Sequence, residues 1–377
     1  MTIPYCDHHI ASFLSQYVQG KAPLDMALAR YFKSHLSLGS HDRRTIGDAV
    51  YGMIRWKTLL DHLCPIASPL ERYRFYKNLD NSIFSDSSIP EAIRLGVPEF
   101  LYERLVRDFG RPKAKRLCEI LNTSAPTTVR ANLLKTNRET LLSLWSEYQP
   151  TPCSQAPEGI RFSKRLPLFS FPEFKQGLFE VQDEGSQLVA SLVAARPGDI
   201  VLDFCSGSGG KTLAIAPGMQ GRGQIYLHDI RTTALQEAKK RLKRAGVQNA
   251  QFLPPGHGQL ARLKEKCDWV LIDVPCSGTG TLRRNPDQKW NLSIDMLQRL
   301  VVEQRTIAKE ALAYLKPGGR LVYATCSILS EENRDQADFL LASYPLALEG
   351  QPLSLLPQEG GMDGFFAAVF KKMNTMI

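Results

Sequence analysis

Val201-Leu202-Asp203-Phe204-Cys205-Ser206-Gly207-Ser208-Gly209-Gly210-Lys211-Thr212 reads as a strand running into a glycine-rich turn and then a helix. Glycines there let the backbone approach a ligand closely, and the N–H groups at a helix start favour polar or anionic atoms. The stretch does not spell the Gly-x-Gly-x-x-Gly of a dinucleotide site, nor the Gly-x-x-x-x-Gly-Lys-Ser/Thr of a P-loop.

From about residue 181 onward, strands alternate with helices. A helix at 186–195 precedes the strand at 200–204, and a strand at 224–228 precedes a helix at 232–245. A short apolar piece at 251–253 and a strand at 269–274 follow. A helix at 293–315 then runs into the Pro/Gly stop Lys316-Pro317-Gly318-Gly319. A strand at 320–325, a helix at 331–343 and the aromatic strand 365–370 complete the series. This rhythm predicts an α/β domain with a mainly parallel, doubly wound sheet.

Ligands of open α/β sheets bind beyond the carboxyl ends of the strands, so chemistry is sought there. Asp229 ends the strand after the glycine loop, about 20 residues on, where an acid accepts hydrogen bonds from ribose hydroxyls. Asp273 ends the strand Trp269-Val270-Leu271-Ile272 and opens Asp273-Val274-Pro275-Cys276-Ser277-Gly278. Cys326 follows Leu321-Val322-Tyr323 in Ala324-Thr325-Cys326-Ser327. Packed, inert thiols are the ordinary reading of a cysteine, and a loop-capping carboxylate is the ordinary reading of Asp273. Two thiols at strand ends beside a ligand loop point instead to a reactive pocket.

The 377 residues allow two or three domains, and 43% apolar with 23% charged content is that of a globular chain. No stretch approaches the roughly 18 apolar residues of a membrane span. The first residues lack the basic and apolar regions of a secretory signal, so a cytoplasmic enzyme is expected. The 8 cysteines are dispersed with no Cys-x-x-Cys pair and no His cluster, which argues for reduced thiols and against a zinc site. The net charge of +9 is uneven: residues 1–170 hold 23 basic against 16 acidic residues, the remainder 24 against 22. Solvated helix surfaces would account for this, as would a polyanion-binding N-terminal half.

Residues 1–125 read as helical. Ile10, Phe13, Leu14 and Tyr17 keep helical spacing, as do Leu24, Leu28 and Phe32; further helices carry Ile46 to Trp56 and Phe100 to Phe109. Residues 126–170 mix the strand-like Thr127–Asn132, a short helix near 140–148 and a proline-punctuated passage, and read as a small α/β connector. Residues 171–377 form the sheet domain.

The segments Asp-Phe-Cys-Ser-Gly-Ser-Gly-Gly-Lys-Thr, Asp-Val-Pro-Cys-Ser-Gly-Thr-Gly and Ala-Thr-Cys-Ser, in this order, resemble the Sun/Fmu/Nop family of S-adenosylmethionine-dependent RNA cytosine-5 methyltransferases. Val181–Ser186, Arg284-Asn285-Pro286-Asp287 and Gly361–Phe366 add to the match, which covers residues 171–377. More loosely, Asp42-Arg43-Arg44 with Tyr51–Trp56 looks like the family's all-helical, antiterminator-like RNA-binding domain, and Thr128–Asn132 like its connector.

The resemblance implies a Rossmann-like class I methyltransferase domain that methylates carbon 5 of a cytosine in RNA, most simply 16S ribosomal RNA. It implies Cys326 as the nucleophile toward carbon 6, Cys276 as the thiol that assists the later elimination, and Asp273 as the group holding nitrogen 3. It implies S-adenosylmethionine held by Cys205, Ser206, Gly207, Ser208, Gly209, Gly210, Lys211, Asp229 and Asp273. RNA is the implied partner, with no membrane, no metal and a monomeric chain. Two departures stand out. Ser206-Gly207-Ser208 replaces the family's Ala-Ala-Pro, and no acid follows the third strand, where Pro254-Pro255-Gly256-His257-Gly258 leaves Gln259 or a backbone carbonyl to meet the adenine. A transfer RNA substrate, or a non-catalytic RNA-binding assembly factor, is the alternative reading.

Overall fold

The computed structural model describes residues 3–374. Its internal contacts divide the chain into two compact units, Met1–Ser124 with Thr281–Met296, and Ala125–Gly280 with Leu297–Ile377. This differs from the three-part reading at 125 and 170 in two ways. The segment 126–170 groups with the sheet, and Thr281–Met296 leaves the sheet half of the sequence to join the N-terminal helices.

The first unit is helical. Its core gathers Ile10, Phe13, Leu24, Leu28, Ile46 and Val50 from the faces that the 3-4 spacing marked. Helix starts are locally encoded: at Pro69–Lys77 the Ser68 and Glu71 side chains reciprocally cap the backbone, with Pro69 in the first turn. The reason for the recruitment of 281–296 is polar as well as apolar. The buried Lys289 ammonium donates to Arg55 O at 3.0 Å, Gly96 O at 2.9 Å and Asn122 Oδ1 at 2.6 Å. Trp290 Nε1 donates to Ile54 O at 2.6 Å, and Asp287 accepts the Leu24 N–H at the start of helix Leu24–Ser34. Burial, then the charge of Arg55, pushes the Lys289 pKa well down. Without this segment three buried acceptors would lose their donor.

In the second unit, strands β1 Thr127–Ala131, β2 Thr151–Pro152, β3 Gly159–Phe162 and β4 Phe179–Val181 pair antiparallel in the order β2-β3-β1-β4. Trp145, Phe162 and Phe179 fill the core beneath this small sheet. The larger sheet holds β5 Ile200–Asp203, β6 Gln224–His228, β7 Ala250–Leu253, β8 Cys267–Asp273, β9 Leu315–Thr325, β10 Leu346–Leu348, β11 Leu353–Leu355 and β12 Phe365–Lys372. Its order is β10-β12-β9-β8-β5-β6-β7, with β11 on β12. The pairs from β7 to β9 are parallel, while β10, β11 and β12 add antiparallel. Two apolar layers cover the faces, one built around Val201, Ile225 and Leu271, the other around Leu202, Val270 and Ile272. Alternate residues of one strand thus feed opposite layers, as a sheet buried on both sides requires.

Several elements differ from the sequence reading. The Pro317-Gly318 pair lies inside β9 rather than between helix and strand: the helix Ile294–Leu312 stops earlier and β9 begins at Leu315. Gly318, at φ +75°, absorbs the irregularity beside a register shift between Cys267 and Trp269. The short strands β10 and β11 were not anticipated, because three residues are too few to show a period.

Candidate active site

Sheet register brings the two cysteine loops together. In the parallel β8–β9 pair, Asp273 lies level with Ala324. The chain leaves each strand there and reaches Cys276 and Cys326, whose Sγ atoms are 3.3 Å apart. The loops are also tied by backbone. Gly280 N–H donates to Cys326 O at 2.9 Å, and Gly364 N–H donates to Gly280 O at 2.9 Å. A Cβ on Gly280 would come within 2.1 Å of Gly364 O, so this crossing admits only glycine.

The two thiols are not electrostatically alike. The hydrogen bond to Cys326, then burial, then the charges of Cys326 and Glu332 push the Cys276 thiol well above its ordinary pKa. A raised pKa favours the protonated form of Cys276 at neutral pH. Elsewhere burial raises Cys118, Cys153 and Cys267 to about 12, as suits packed, unreactive thiols.

Beside the cysteines, Lys211 forms an ion pair with Asp273. Burial alone would lower the Lys211 pKa, but the Asp273 charge and hydrogen bond, with smaller contributions from Asp203 and Cys326, raise it. The same pair borders a cavity of about 360 Å³ that Cys205, Ser206, Gly207 and Ser208 also line. Gly210 lines it at the start of helix Gly210–Ile215. Asp203 Oδ1 and Ser206 Oγ are buried with no hydrogen-bond partner among the described residues. Burial raises Asp203 to about 7, against the hydrogen bond from Thr212 Oγ1 at 2.7 Å. An oriented acid, a lysine and helix-start amides suit a ligand with both cationic and anionic ends.

Not every residue named for the cofactor lines that cavity. Gly209, at φ +77°, turns the chain against the next helix, where a Cβ would meet Leu242 at 2.8 Å. Asp229 lies behind the loop and accepts Gly207 N–H at 2.8 Å and Arg231 N–H at 2.8 Å, with the Arg231 guanidinium also on it. Burial works against its ionisation, but these hydrogen bonds hold its pKa below the usual value. Gln259, named as a substitute contact for adenine, donates from Nε2 to Gln251 Oε1 at 2.8 Å.

Two cavity residues escaped the sequence reading. Asp203 was quoted as part of the loop, and its two-sided burial was the missing signal. Arg241 projects from the helix Thr232–Ala245, donates to Ser208 O at 3.0 Å and Oγ at 2.6 Å, and ion-pairs with Glu180. It pins the loop where serine stands in place of proline. Among the described residues no group of three or more His, Cys, Asp or Glu could hold a metal, and no helix is long and apolar enough to cross a membrane.

The chain is similar to known methyltransferases in sequence and in fold. The sequence model for 16S rRNA methyltransferase RsmB/F matches residues 190–371, and one for the ferredoxin-like domain of RsmF/B-like methyltransferases matches 97–168. The chain is 30% identical over 327 residues to the Synechocystis protein named "Probable ribosomal RNA small subunit methyltransferase B", covering 80% of this chain and 73% of the relative. It is 32% identical over 311 residues to ribosomal RNA small subunit methyltransferase B of Vibrio cholerae, covering 80% and 71%. A solved methyltransferase homolog from Pyrococcus horikoshii superposes with a TM-score of 0.66 at 27% identity, covering 78% of this chain and 100% of that one.

Proposed function

The chain belongs to the RsmB/F family of 16S rRNA methyltransferases, and on that premise we propose that it methylates carbon 5 of a cytosine in ribosomal RNA through a covalent Cys326 adduct. S-adenosylmethionine, the cofactor of this family, supplies the methyl group as an electrophile carried on a sulfonium. The residues around the cavity fit it. The unpartnered Asp203 Oδ1 suits its ammonium group and the amides at the start of helix Gly210–Ile215 suit its carboxylate, while Asp229, which does not line the cavity, supports the loop from behind through Gly207 and Arg231.

The cysteines divide the remaining work. Cys326, as thiolate, adds to carbon 6 and drives electron density onto carbon 5, which then takes the methyl group. Asp273, ion-paired with Lys211, holds the nitrogen 3 edge and supports the charge that develops there. Addition turns Cys326 into a neutral thioether. That removes the anion and the hydrogen-bond acceptor which had held the proton on Cys276. Cys276 releases that proton to solvent and takes the one on carbon 5. The ring double bond re-forms, the carbon–sulfur bond breaks, and Cys326 leaves as a thiolate beside a protonated Cys276. The observation that carries this reading is the 3.3 Å approach of two thiols at neighbouring strand ends beside the cavity.

Bisulfite sequencing of ribosomal RNA from cells with and without the gene tests it. One methylcytosine should vanish and return with the wild-type gene; an unchanged methylcytosine map overturns the reading.

The cofactor site makes a separate prediction. Asp229→Ala should weaken S-adenosylmethionine binding by about 1–3 kcal/mol, because it removes a charged acceptor and unties Gly207 and Arg231. Calorimetry on the folded variant reads this directly; unchanged affinity removes Asp229 from the site.

A further inference from the structure

Behind the two thiols lies a buried polar network that the chemistry described so far does not use. At its centre is Glu332, fully buried at the end of the turn Ser330–Glu332. Its Oε1 accepts Ser277 N–H at 2.8 Å and Gln304 Nε2 at 3.0 Å, and its Oε2 accepts the Ser277 hydroxyl. Gln304 Nε2 also donates to Pro275 O at 3.0 Å. The residues immediately before and after Cys276 are therefore both held, one by Glu332 itself and one through Gln304. The next residue does the same for the other thiol. Asn333 accepts from Thr325 Oγ1 at 2.6 Å and donates from Nδ2 to Ser327 O at 2.9 Å, which brackets Cys326. The brackets are joined where Ser327 Oγ meets Ser277 Oγ at 3.2 Å and Thr279 Oγ1 at 2.9 Å.

We propose that Glu332 is a positioning residue for the elimination step: its buried carboxylate grips the backbone around Cys276 and keeps that thiol facing Cys326. The proposal rests on the cysteine roles assigned above. Burying a carboxylate is costly, and an amide or an apolar side chain would fill the space at less cost. What the carboxylate adds is two acceptor oxygens that can hold a backbone N–H, a hydroxyl and an amide together, and a negative charge beside Cys276. The groups facing Cys276 are Cys326 from the loop after β9, Glu332 from the following turn, Tyr323 from β9 and the Gly278 amide of its own loop. Lys211 acts from the cavity side, on Cys326. Of the two anions that oppose loss of the Cys276 proton, Cys326 becomes neutral on forming the adduct, whereas Glu332 persists.

The test uses full-length protein carrying Glu332→Gln or Glu332→Asp. The first readout needs neither RNA nor cofactor: the pH dependence of iodoacetamide labelling at Cys276, followed by peptide mass spectrometry. Glu332→Gln should move that midpoint down by about half a pH unit or more, because an opposing charge is gone. Glu332→Asp keeps the charge and should restore most of it. The second readout is the adduct on a denaturing gel. Glu332→Gln should resolve the Cys326–RNA adduct about tenfold more slowly, while the first methyl transfer proceeds, and Asp should rescue part of that rate.

A purely structural role predicts labelling midpoints that do not move and both chemical phases slowing together; that result overturns the proposal. If Glu332→Gln fails to fold, Glu332→Asp alone decides. Slowed resolution with a wild-type midpoint supports the proposal, and wild-type resolution overturns it. If Cys276→Ser traps no adduct, the cysteine roles fail, and a shifted midpoint would still place Glu332 in control of Cys276. If Cys276→Ser traps adduct but Glu332→Gln changes neither readout, only the proposal for Glu332 falls.

Discussion

Cys326→Ser should leave the protein without methyl transfer and without any covalent RNA adduct, a loss on the order of 10⁴-fold or more in single-turnover rate. The reason is the nucleophile itself. A thiol is far more acidic than an alcohol and more nucleophilic as its anion, while a serine hydroxyl supplies essentially no alkoxide and needs an adjacent base. The nearest sulfur, Cys276, is held protonated and cannot serve as that base. Transfer of labelled methyl groups to ribosomal RNA, read beside a denaturing gel, measures both losses. Residual transfer within tenfold of wild type would show that carbon 6 is attacked by something else.

Cys276→Ser should fail in the opposite sense: methyl transfer should occur once, and the protein should remain attached to the RNA as a denaturant-resistant, slowly migrating band. The proton on carbon 5 must leave before Cys326 can be expelled, and removal of a positioned general base typically costs about 10²–10⁴-fold. Once Cys326 is a thioether the first cause of the raised Cys276 pKa is gone, so the thiol can ionise and take that proton. The raised pKa also sets a pH dependence. Proton affinity is raised in the resting state, so alkylation of Cys276 should rise only at alkaline pH, above the range for an ordinary thiol. The double variant should form no adduct, because nothing can be trapped that was never attached. Adduct in Cys326→Ser and none in Cys276→Ser would exchange the roles.

The sheet half of the molecule was legible because its signals are local. An apolar run followed by glycines reports a strand entering a ligand turn, and Asp229, Asp273, Cys276 and Cys326 each follow such a run. Parallel register then needed no further information to bring the last two loops together, since neighbouring strands end at one edge. The position of Pro317-Gly318 was misjudged for the complementary reason. Locally the pair reads as a stop, but pairing of β9 with β8 carries the strand through it.

What the sequence by itself determined was the alternation of strands and helices, the glycine loop and the placing of two cysteines just beyond strand ends, because backbone freedom, hydrophobic period and residue chemistry are properties of short segments. Only the tertiary structure decided that Thr281–Met296 completes the helical unit, that Arg241 pins Ser208, and that Glu332 and Asn333 bracket the cysteines. Gln304 and Glu332 meet Pro275 and Ser277 across 29 and 55 residues of chain. No periodicity spans such separations. A buried polar group takes whatever partner packing delivers, and its demand for one, rather than any pattern along the chain, selects the contact.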